Sequence, residues 1–230
     1  MTALKDKEPY SYSLDPRSHI VCGVDEAGRG PLVGPVVAAC VVLNYDDMIE
    51  GLDDSKKLSE KKRLALFDEI VNRAASVGVG MCLPREIDEM NILHASLEAM
   101  RRAYLALNPA LNVNLMLVDG NNTVKNVPCM VEAVVGGDAR VKEIAAASIV
   151  AKCIRDREMT RLSLLYPHYG FDRHKGYPTK AHLELLQTLP LLDCYRTGYG
   201  PIADLIDRGH KIVPADFTFE CGINSNFSVN

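Results

Sequence analysis

Four acidic residues follow apolar stretches of this 230-residue chain, and their types and positions suggest a metal site. Asp25 and Glu26 follow the apolar residues of IVCGVDE, Asp119 ends LMLVD, and Asp138 follows CMVEAVV and two glycines. Carboxylate oxygens suit hard cations such as Mg²⁺ and Mn²⁺. These ions promote phosphate-ester hydrolysis, because they sharpen a water nucleophile and neutralise the leaving oxygen. Open α/β sheets build their sites at strand ends, so we interpret the four acids as candidate metal ligands there.

Each acid alone also has a purely local interpretation. Asp138 could be the N-cap of the helix that follows it, and Asp119 could simply form a turn. Asp25 and Glu26 pose a further difficulty, because neighbouring side chains on an ideal strand point to opposite faces. They can share one site only if the chain leaves strand geometry at Glu26, which the following glycines permit.

The segment GRGPLVG, residues 28–34, allows two interpretations of equal weight. It does not match a Walker loop or the G-x-G-x-x-G pattern of dinucleotide-binding proteins. Its glycines let the backbone approach a ligand, and Arg29 could bind a phosphate. Alternatively, it is a hairpin connection stiffened by Pro31 and Pro35.

A second segment, YPHYGFDRHKGYPTKAH, contains three histidines and an aromatic residue on a stiff turn. His168, His174 and His182 lack cysteine partners and an H-E-x-x-H pattern, so we expect exposed or hydrogen-bonding histidines, not a zinc site. Tyr177 lies between a glycine and a proline beside cations, as stacking on nucleic acid would require. Packing within the protein explains it equally well.

Strand-length and helical patterns alternate along the chain, which predicts an α/β domain with a mixed sheet. Helical patterns lie between and after the apolar runs, the longest at 139–165, and Ser59 is a plausible N-cap of another helix with an apolar stripe at Leu64, Phe67 and Val71. From about Leu162 onward we expect only helices and loops. The predicted strands are 20–25, 36–43, 76–83, 115–119 and 129–135.

Composition limits the classes of protein and of partner. A net charge of −4 argues against coating nucleic acid through bulk positive charge. Basic residues nevertheless cluster at 53–63, 151–161 and 172–180, as solvated helix faces or as local phosphate contacts. We find no secretory signal at the start, no membrane span, and seven cysteines without a C-x-x-C pair. We therefore expect free thiols and a cytoplasmic protein.

The ordered set of segments resembles the ribonuclease HII family, the bacterial type 2 ribonucleases H. The likeness covers about residues 18–190 and rests on GVDEAGRGPLVGPVVAACVVL, DDSKKLSEKKR, LVDGN, GGDARVKEIAAASIVAKCIRDREM and YGFDRHKGYPTKAHLELL. It implies a ribonuclease H-like mixed β-sheet flanked by helices, with a helical C-terminal extension. It further implies an endoribonuclease, dependent on Mn²⁺ or Mg²⁺, that acts on RNA–DNA hybrids and on ribonucleotide-containing duplex DNA.

The resemblance also assigns roles to individual residues. Asp25, Glu26, Asp119 and Asp138 are expected to bind the metal ions and to be catalytic. Gly28, Arg29 and Gly30 are expected to read the 2′-hydroxyl, and Tyr177 to pack on the sugar after the ribonucleotide. The expected phosphate contacts are Lys56, Lys57, Ser148 and Lys152.

Two ranges are predicted, a catalytic core at 1–161 and an extension at 162–230 packed on it, forming one functional domain and a monomer. The end of the chain departs from the family, because YRTGYGPI keeps only the outline of the family's closing segment, and this departure leaves the four acids unaffected. The alternatives are another ribonuclease H-like nuclease with different substrate preference, or a non-catalytic hybrid-binding module. The module ranks last, because binding alone would not require four acids.

Overall fold

The computed structural model describes residues 10–223, and a five-stranded mixed sheet forms the centre of this part of the chain. The strands lie in the order β3-β2-β1-β4-β5. β1 pairs antiparallel with β2, and β2 with β3, whereas β1, β4 and β5 run parallel. The strands are β1 Val21–Ala27, β2 Val36–Val42, β3 Ser76–Cys82, β4 Leu115–Asp119 and β5 Met130–Val134. All five predicted strands and the mixed sheet are confirmed.

Helices cover both faces of the sheet because apolar residues point to both sides of its central strands. On one face, Val24 and Cys40 belong to a core closed by helix α2. On the other, Val37 and Val41 pack against helices α1 and α3. The helices are α1 Glu60–Arg73, α2 Pro84–Leu105 and α3 Lys142–Leu165. Because successive side chains of a strand alternate between these two faces, the position of a residue along its strand determines the face on which its side chain lies.

The predicted start of α1 is confirmed, and its predicted apolar stripe is only partly right. The Ser59 side chain accepts a hydrogen bond from the backbone N–H of Lys62. Phe67 is buried as expected, but Leu64 is exposed, and Leu66 and Ile70 are buried instead. The helix therefore turns a slightly different face to the sheet.

The C-terminal part contains short elements packed against the end of α3. They are α4 Phe171–His174, α5 Lys180–Leu185, β6 Leu191–Leu192, α6 Gly200–Asp207 and β7 Ile212–Val213. The expectation of helices and loops alone is wrong, because β6 and β7 pair in parallel. The predicted boundary at 161/162 falls inside α3, and the ranges 1–161 and 162–230 begin and end outside the described residues.

All seven cysteines are free thiols, five of them buried, as expected. No helix in the described part of the chain combines the length and apolar character that crossing a membrane requires. The first nine residues of the segment tested for a secretory signal lie outside the described residues.

Candidate active site

The ends of β1 and β4 and the turn after β5 bring three aspartates together. The parallel register pairs Val24 with Val118, so Asp25 and Asp119 follow side by side on the face covered by α3. Asp138 reaches the same place from a short 3₁₀ turn, Gly137–Ala139. One carboxylate oxygen of each aspartate lies within 4.8 Å of those of the other two.

Asp25 is the most buried of these carboxylates and is held by two donors. The backbone N–H of Glu26 donates to its Oδ1 at 2.7 Å, and Ser148 hydrogen-bonds the same carboxylate. Burial raises the pKa of Asp25 well above its usual value, and the charges of Glu26 and Asp119 add to the effect. A cation at this position would relieve that repulsion.

Asp119 organises the turn that carries Asp138. Its Oδ1 accepts hydrogen bonds from the backbone N–H groups of Gly137, at 2.8 Å, and Asp138, at 3.4 Å. Asp138 does not cap α3, because the N-cap residue is Val141 and its side chain makes no capping bond. Burial raises the pKa of Asp138, and Asp119 and Asp54 raise it further. The purely local interpretations of both acids are therefore insufficient.

Glu26 is close to the three aspartates without joining their cluster. β1 continues as a strand to Ala27, so the departure from strand geometry that would let Asp25 and Glu26 share one site does not occur at Glu26. The Glu26 carboxylate instead contacts the guanidinium of Arg29 at 3.3 Å. Burial raises the pKa of Glu26, Arg29 opposes this shift, and the charge of Asp119 adds to it. The charge of the cluster therefore affects the pKa of Glu26, although the Glu26 carboxylate lies outside the cluster.

Residues 28–35 connect the antiparallel strands β1 and β2, which confirms the hairpin interpretation. Gly28 has φ +102°, and a Cβ there would lie 2.1 Å from Nε of the buried Arg155. Arg29 and Gly30 are exposed. A Cβ on Gly30 would lie 3.4 Å from the Tyr177 ring, so the glycine brings the loop backbone against that ring.

Tyr177 lies on a turn that two histidines stabilise. Its ring is 42% exposed, so it is not a core residue. His182 Nδ1 lies 2.8 Å from the Tyr177 carbonyl, and His174 Nδ1 accepts from the Gly176 N–H at 3.1 Å. The two imidazoles stack with 3.9 Å between ring centroids. The expectation of hydrogen-bonding histidines is confirmed for this pair, and His168 is exposed.

The predicted phosphate contacts have different surroundings. Lys56 Nζ lies 3.7 Å from Asp138 Oδ2, Lys57 Nζ lies 3.4 Å from Asp53, and Lys152 Nζ lies 2.8 Å from Asp156. Burial opposes the protonated form of Lys56, yet the nearby carboxylates, Asp138 first, raise its pKa. The ammonium group of Lys56 therefore lies beside Asp138 of the acidic cluster.

Ser148, the fourth predicted phosphate contact, is a buried residue. Its side chain is buried, and its hydroxyl lies 2.8 Å from the Ser55 hydroxyl and also bonds Asp25. The Ser148 hydroxyl therefore supports the carboxylate of Asp25.

Sequence reasoning missed Ser55, Arg155, Arg196 and Tyr199. Ser55 bonds Ser148 across 93 positions, and Arg196 bonds the carbonyl of Gly28 across 168. Such contacts leave no local pattern.

Comparisons with known proteins agree with this geometry. The profile of the ribonuclease HII family matches residues 22–197. A ribonuclease HII of Nitrosomonas europaea is 54% identical over 84% of this chain and 87% of its own length, and one of Colwellia psychrerythraea is 50% identical over 85% and 94%. Among solved structures, the ribonuclease H2 of Pyrococcus horikoshii is 28% identical, with TM-score 0.66 over 82% of this chain and 97% of its own.

Proposed function

Since the chain belongs to the ribonuclease HII family and is a metal-dependent endoribonuclease acting on RNA–DNA hybrids, we propose that it also cuts duplex DNA on the 5′ side of single embedded ribonucleotides. One observation carries this proposal. The exposed backbone at Gly30 lies against the Tyr177 ring, on the loop that directly follows Asp25 and Glu26 of β1. A sugar held there would meet backbone groups and an aromatic ring at once, and only the 2′-hydroxyl distinguishes RNA from DNA.

Asp25, Asp119 and Asp138 would hold the divalent ion, with Glu26 adding charge from the edge. Three carboxylate oxygens within 4.8 Å of one another, without nitrogen or sulfur ligands, fit Mg²⁺ or Mn²⁺. When bound, such an ion sharpens a water nucleophile and neutralises the leaving oxygen of the phosphodiester.

The protein residues supply position and discrimination. Ser148 and the Glu26 N–H hold the Asp25 carboxylate, and the Asp119 carboxylate fixes the turn of Asp138. The backbone at residues 28–30 would bind the 2′-hydroxyl, and Tyr177 would pack on the next sugar. Tyr177 would pack on a deoxyribose at that second position, so the cut would fall on the 5′ side of the ribonucleotide.

Lys56, Lys57 and Lys152 would bind backbone phosphates around this centre. Because the net charge is −4, affinity would come from these few contacts and fall with salt. We further propose a monomer in the cytoplasm, with the C-terminal extension and the core forming one functional domain. The free thiols and the continuity of α3 support this view.

The test uses a duplex labelled at both ends with one embedded ribonucleotide, incubated with Mg²⁺, with Mn²⁺ or with chelator. We expect one metal-dependent cut on the 5′ side of the ribonucleotide. Asp119→Asn and Asp138→Asn should each reduce the rate at least about a hundredfold, because each removes metal-binding charge. Asp68→Asn, an exposed acid on α1, is the matched control and should cut normally.

Two results would contradict the proposal. A cut on the 3′ side would refute the orientation of the substrate. Substantial Mg²⁺-dependent activity in either variant, with circular dichroism unchanged, would show that the carboxylate is wrongly assigned.

A further inference from the structure

Two buried arginines, Arg155 and Arg196, lie behind the connection between β1 and β2. Arg155 is 1% exposed and Arg196 is fully buried. Within residues 10–223, no ion pair involves either guanidinium. Burial lowers the pKa of Arg155 to about 10 and also lowers that of Arg196. Burying an unpaired charge costs free energy, so we expect the N–H groups of each guanidinium to donate hydrogen bonds within the protein.

Arg196 donates hydrogen bonds to carbonyl groups of the loop between β1 and β2. Its Nη2 donates to the carbonyl of Gly28 at 2.6 Å, its Nη1 to that of Arg29 at 3.0 Å, and its Nε to that of Gly34 at 2.9 Å. Tyr199 completes the arrangement. Its hydroxyl accepts from Arg196 Nη1 at 3.0 Å and donates to the Arg29 carbonyl at 2.6 Å.

These bonds determine where the opposite side of each peptide faces. A trans peptide is planar, so its N–H points away from its carbonyl, and the described chain contains no cis peptide. With the Gly28 and Arg29 carbonyls turned inward, the N–H groups of Arg29 and Gly30 turn outward. In the described part of the chain neither N–H has a hydrogen-bond acceptor, and both residues are exposed.

Arg155 holds the other half of the loop and the neighbouring turn. It donates to the carbonyls of Val33, Pro35 and Lys175. It therefore anchors the loop to the turn of Tyr177, whereas Arg196 and Tyr199 are the only donors to the carbonyls of Gly28 and Arg29 among residues 10–223.

We propose that Arg196 and Tyr199 are positioning residues for ribonucleotide recognition. They hold the two peptides so that the N–H groups of Arg29 and Gly30 face the sugar beside Tyr177. This inference rests on the proposed reading of the 2′-hydroxyl by residues 28–30. A site built to hydrogen-bond a hydroxyl discriminates strongly against the analogue that lacks it, provided that its donors stay in place.

The experiment compares binding of two labelled duplexes in chelator, where no metal supports cleavage. One contains a single ribonucleotide and the other is all-deoxy with the same sequence. Arg196→Lys keeps the charge but loses the planar set of donors, so we expect the affinity ratio between the duplexes to fall about tenfold. Tyr199→Phe removes one of two bonds to the Arg29 carbonyl and should lower the ratio by about threefold.

Matched controls have the same chemistry away from the loop. Arg102→Lys changes an arginine that binds Glu86, Glu98 and the Met81 carbonyl. Tyr169→Phe removes a hydroxyl that donates to the Pro190 carbonyl. Both should keep the wild-type ratio. The increase in melting temperature on adding Mn²⁺ should be the same in Arg196→Lys and Tyr199→Phe as in wild type, because the aspartates are untouched.

The outcomes distinguish the positioning role of Arg196 and Tyr199 from the proposed reading of the ribonucleotide. If Arg196→Lys weakens binding of both duplexes equally, the arginine supplies only charge or folding, and the proposal is overturned. If that variant does not fold, an unchanged ratio in Tyr199→Phe overturns it. If the wild type already binds both duplexes equally, the proposed reading of the ribonucleotide fails and this inference fails with it.

Discussion

Asp25 shows how the fold raises the free energy of an ionised carboxylate at the proposed cation site. Its side chain is 5% exposed and lies beside Glu26 and Asp119. Two hydrogen bonds offset only part of the cost of burying the charge, so its pKa remains raised. Ser148, which supplies one of these bonds, is itself held by Ser55. The carboxylate is therefore kept in place although its charge is unfavourable.

Tyr177 carries the first prediction, because it is partly exposed and its ring lies against the loop at Gly30. We expect Tyr177→Ala to lower kcat/KM on a single embedded ribonucleotide by about tenfold or more, from the lost stacking surface. Continuous RNA–DNA hybrids should lose less, because they offer many alternative registers.

Tyr177→Phe retains the ring and is the matched variant, with an expected loss of no more than about threefold. Kinetics on both substrates, measured side by side, give the comparison. Equal losses on the two substrates in Tyr177→Ala would assign the tyrosine to structure instead of junction reading.

The positions of the aspartates were predictable from sequence, and their supporting contacts were not. Asp25 and Asp119 end apolar runs, and the alternation of a strand puts both on one face of parallel neighbours. The same alternation sends Glu26 to the other face, because β1 continues as a strand to Ala27. Ser55 and Arg196 act across long separations between buried segments, where no periodicity marks them.

At the scale of elements, the turn after α4 positions Tyr177 through hydrogen bonds to neutral imidazoles. His182 Nε2 lies 2.8 Å from the Tyr195 hydroxyl, and its Nδ1 bonds the Tyr177 carbonyl. Burial lowers the pKa of His182 to about 4, and the stacked His174 contributes to the shift. The pKa of His174 is also lowered, mainly by burial. Protonation of either imidazole would therefore destabilise this turn.

We expect this pair to make the protein less stable in acid. A base whose folded pKa lies below its unfolded value, about 6.5, contributes stability above 6.5 and loses it as pH falls toward 4. For His182 the loss amounts to roughly 3 kcal/mol. Chemical denaturation between pH 7.5 and 4 measures it as the stability gap between wild type and His182→Gln, which should close as pH falls.

His168→Gln is the control, because that histidine is exposed on the same part of the chain. Its gap to wild type should be small and independent of pH. A gap for His182→Gln that stays constant across the range would mean that the imidazole titrates normally in the folded protein.

Regular elements could be predicted wherever a repeating pattern spans several residues. The five strands were recognisable from valine-rich runs, and α1 from its Ser59 cap. The long helix begins later than expected, at Lys142, because a 3₁₀ turn bearing Asp138 precedes it. β6 and β7 have two residues each, too few to show any period. Their pairing depends on packing against the end of α3 and could not be inferred locally.

At the scale of the whole molecule, segments from both ends of the described chain hold the framework around the acids. The Tyr10 hydroxyl donates to Glu132 on β5, and that of Tyr12 to the buried Glu143 at the start of α3. At the other end, Glu220 pairs with Arg161 on α3. β5 and α3 flank the turn of Asp138, so the acidic cluster is held together against its own repulsion.

That repulsion predicts how metal affects stability. An acid whose folded pKa is raised contributes stability below its unfolded pKa and loses it as pH rises through the folded value. Metal-free protein at neutral pH is therefore on the unfavourable side for Asp25, Glu26 and Asp138. A cation that binds only the folded state at about a hundred times its Kd adds about 2.7 kcal/mol. We expect millimolar Mn²⁺ to raise the melting temperature by several degrees over chelator.

Asp25→Asn separates the two contributions. Removing this charge should raise the melting temperature in chelator, because the remaining acids repel less, and should shrink the increase produced by Mn²⁺. Asp68 is exposed on α1 and does not belong to the aspartate cluster, so Asp68→Asn should respond to Mn²⁺ as the wild type does. Identical melts with chelator and with saturating Mn²⁺ would contradict a preformed site. A full Mn²⁺ response in Asp25→Asn would instead show that the ion is bound without the most buried of the three aspartates.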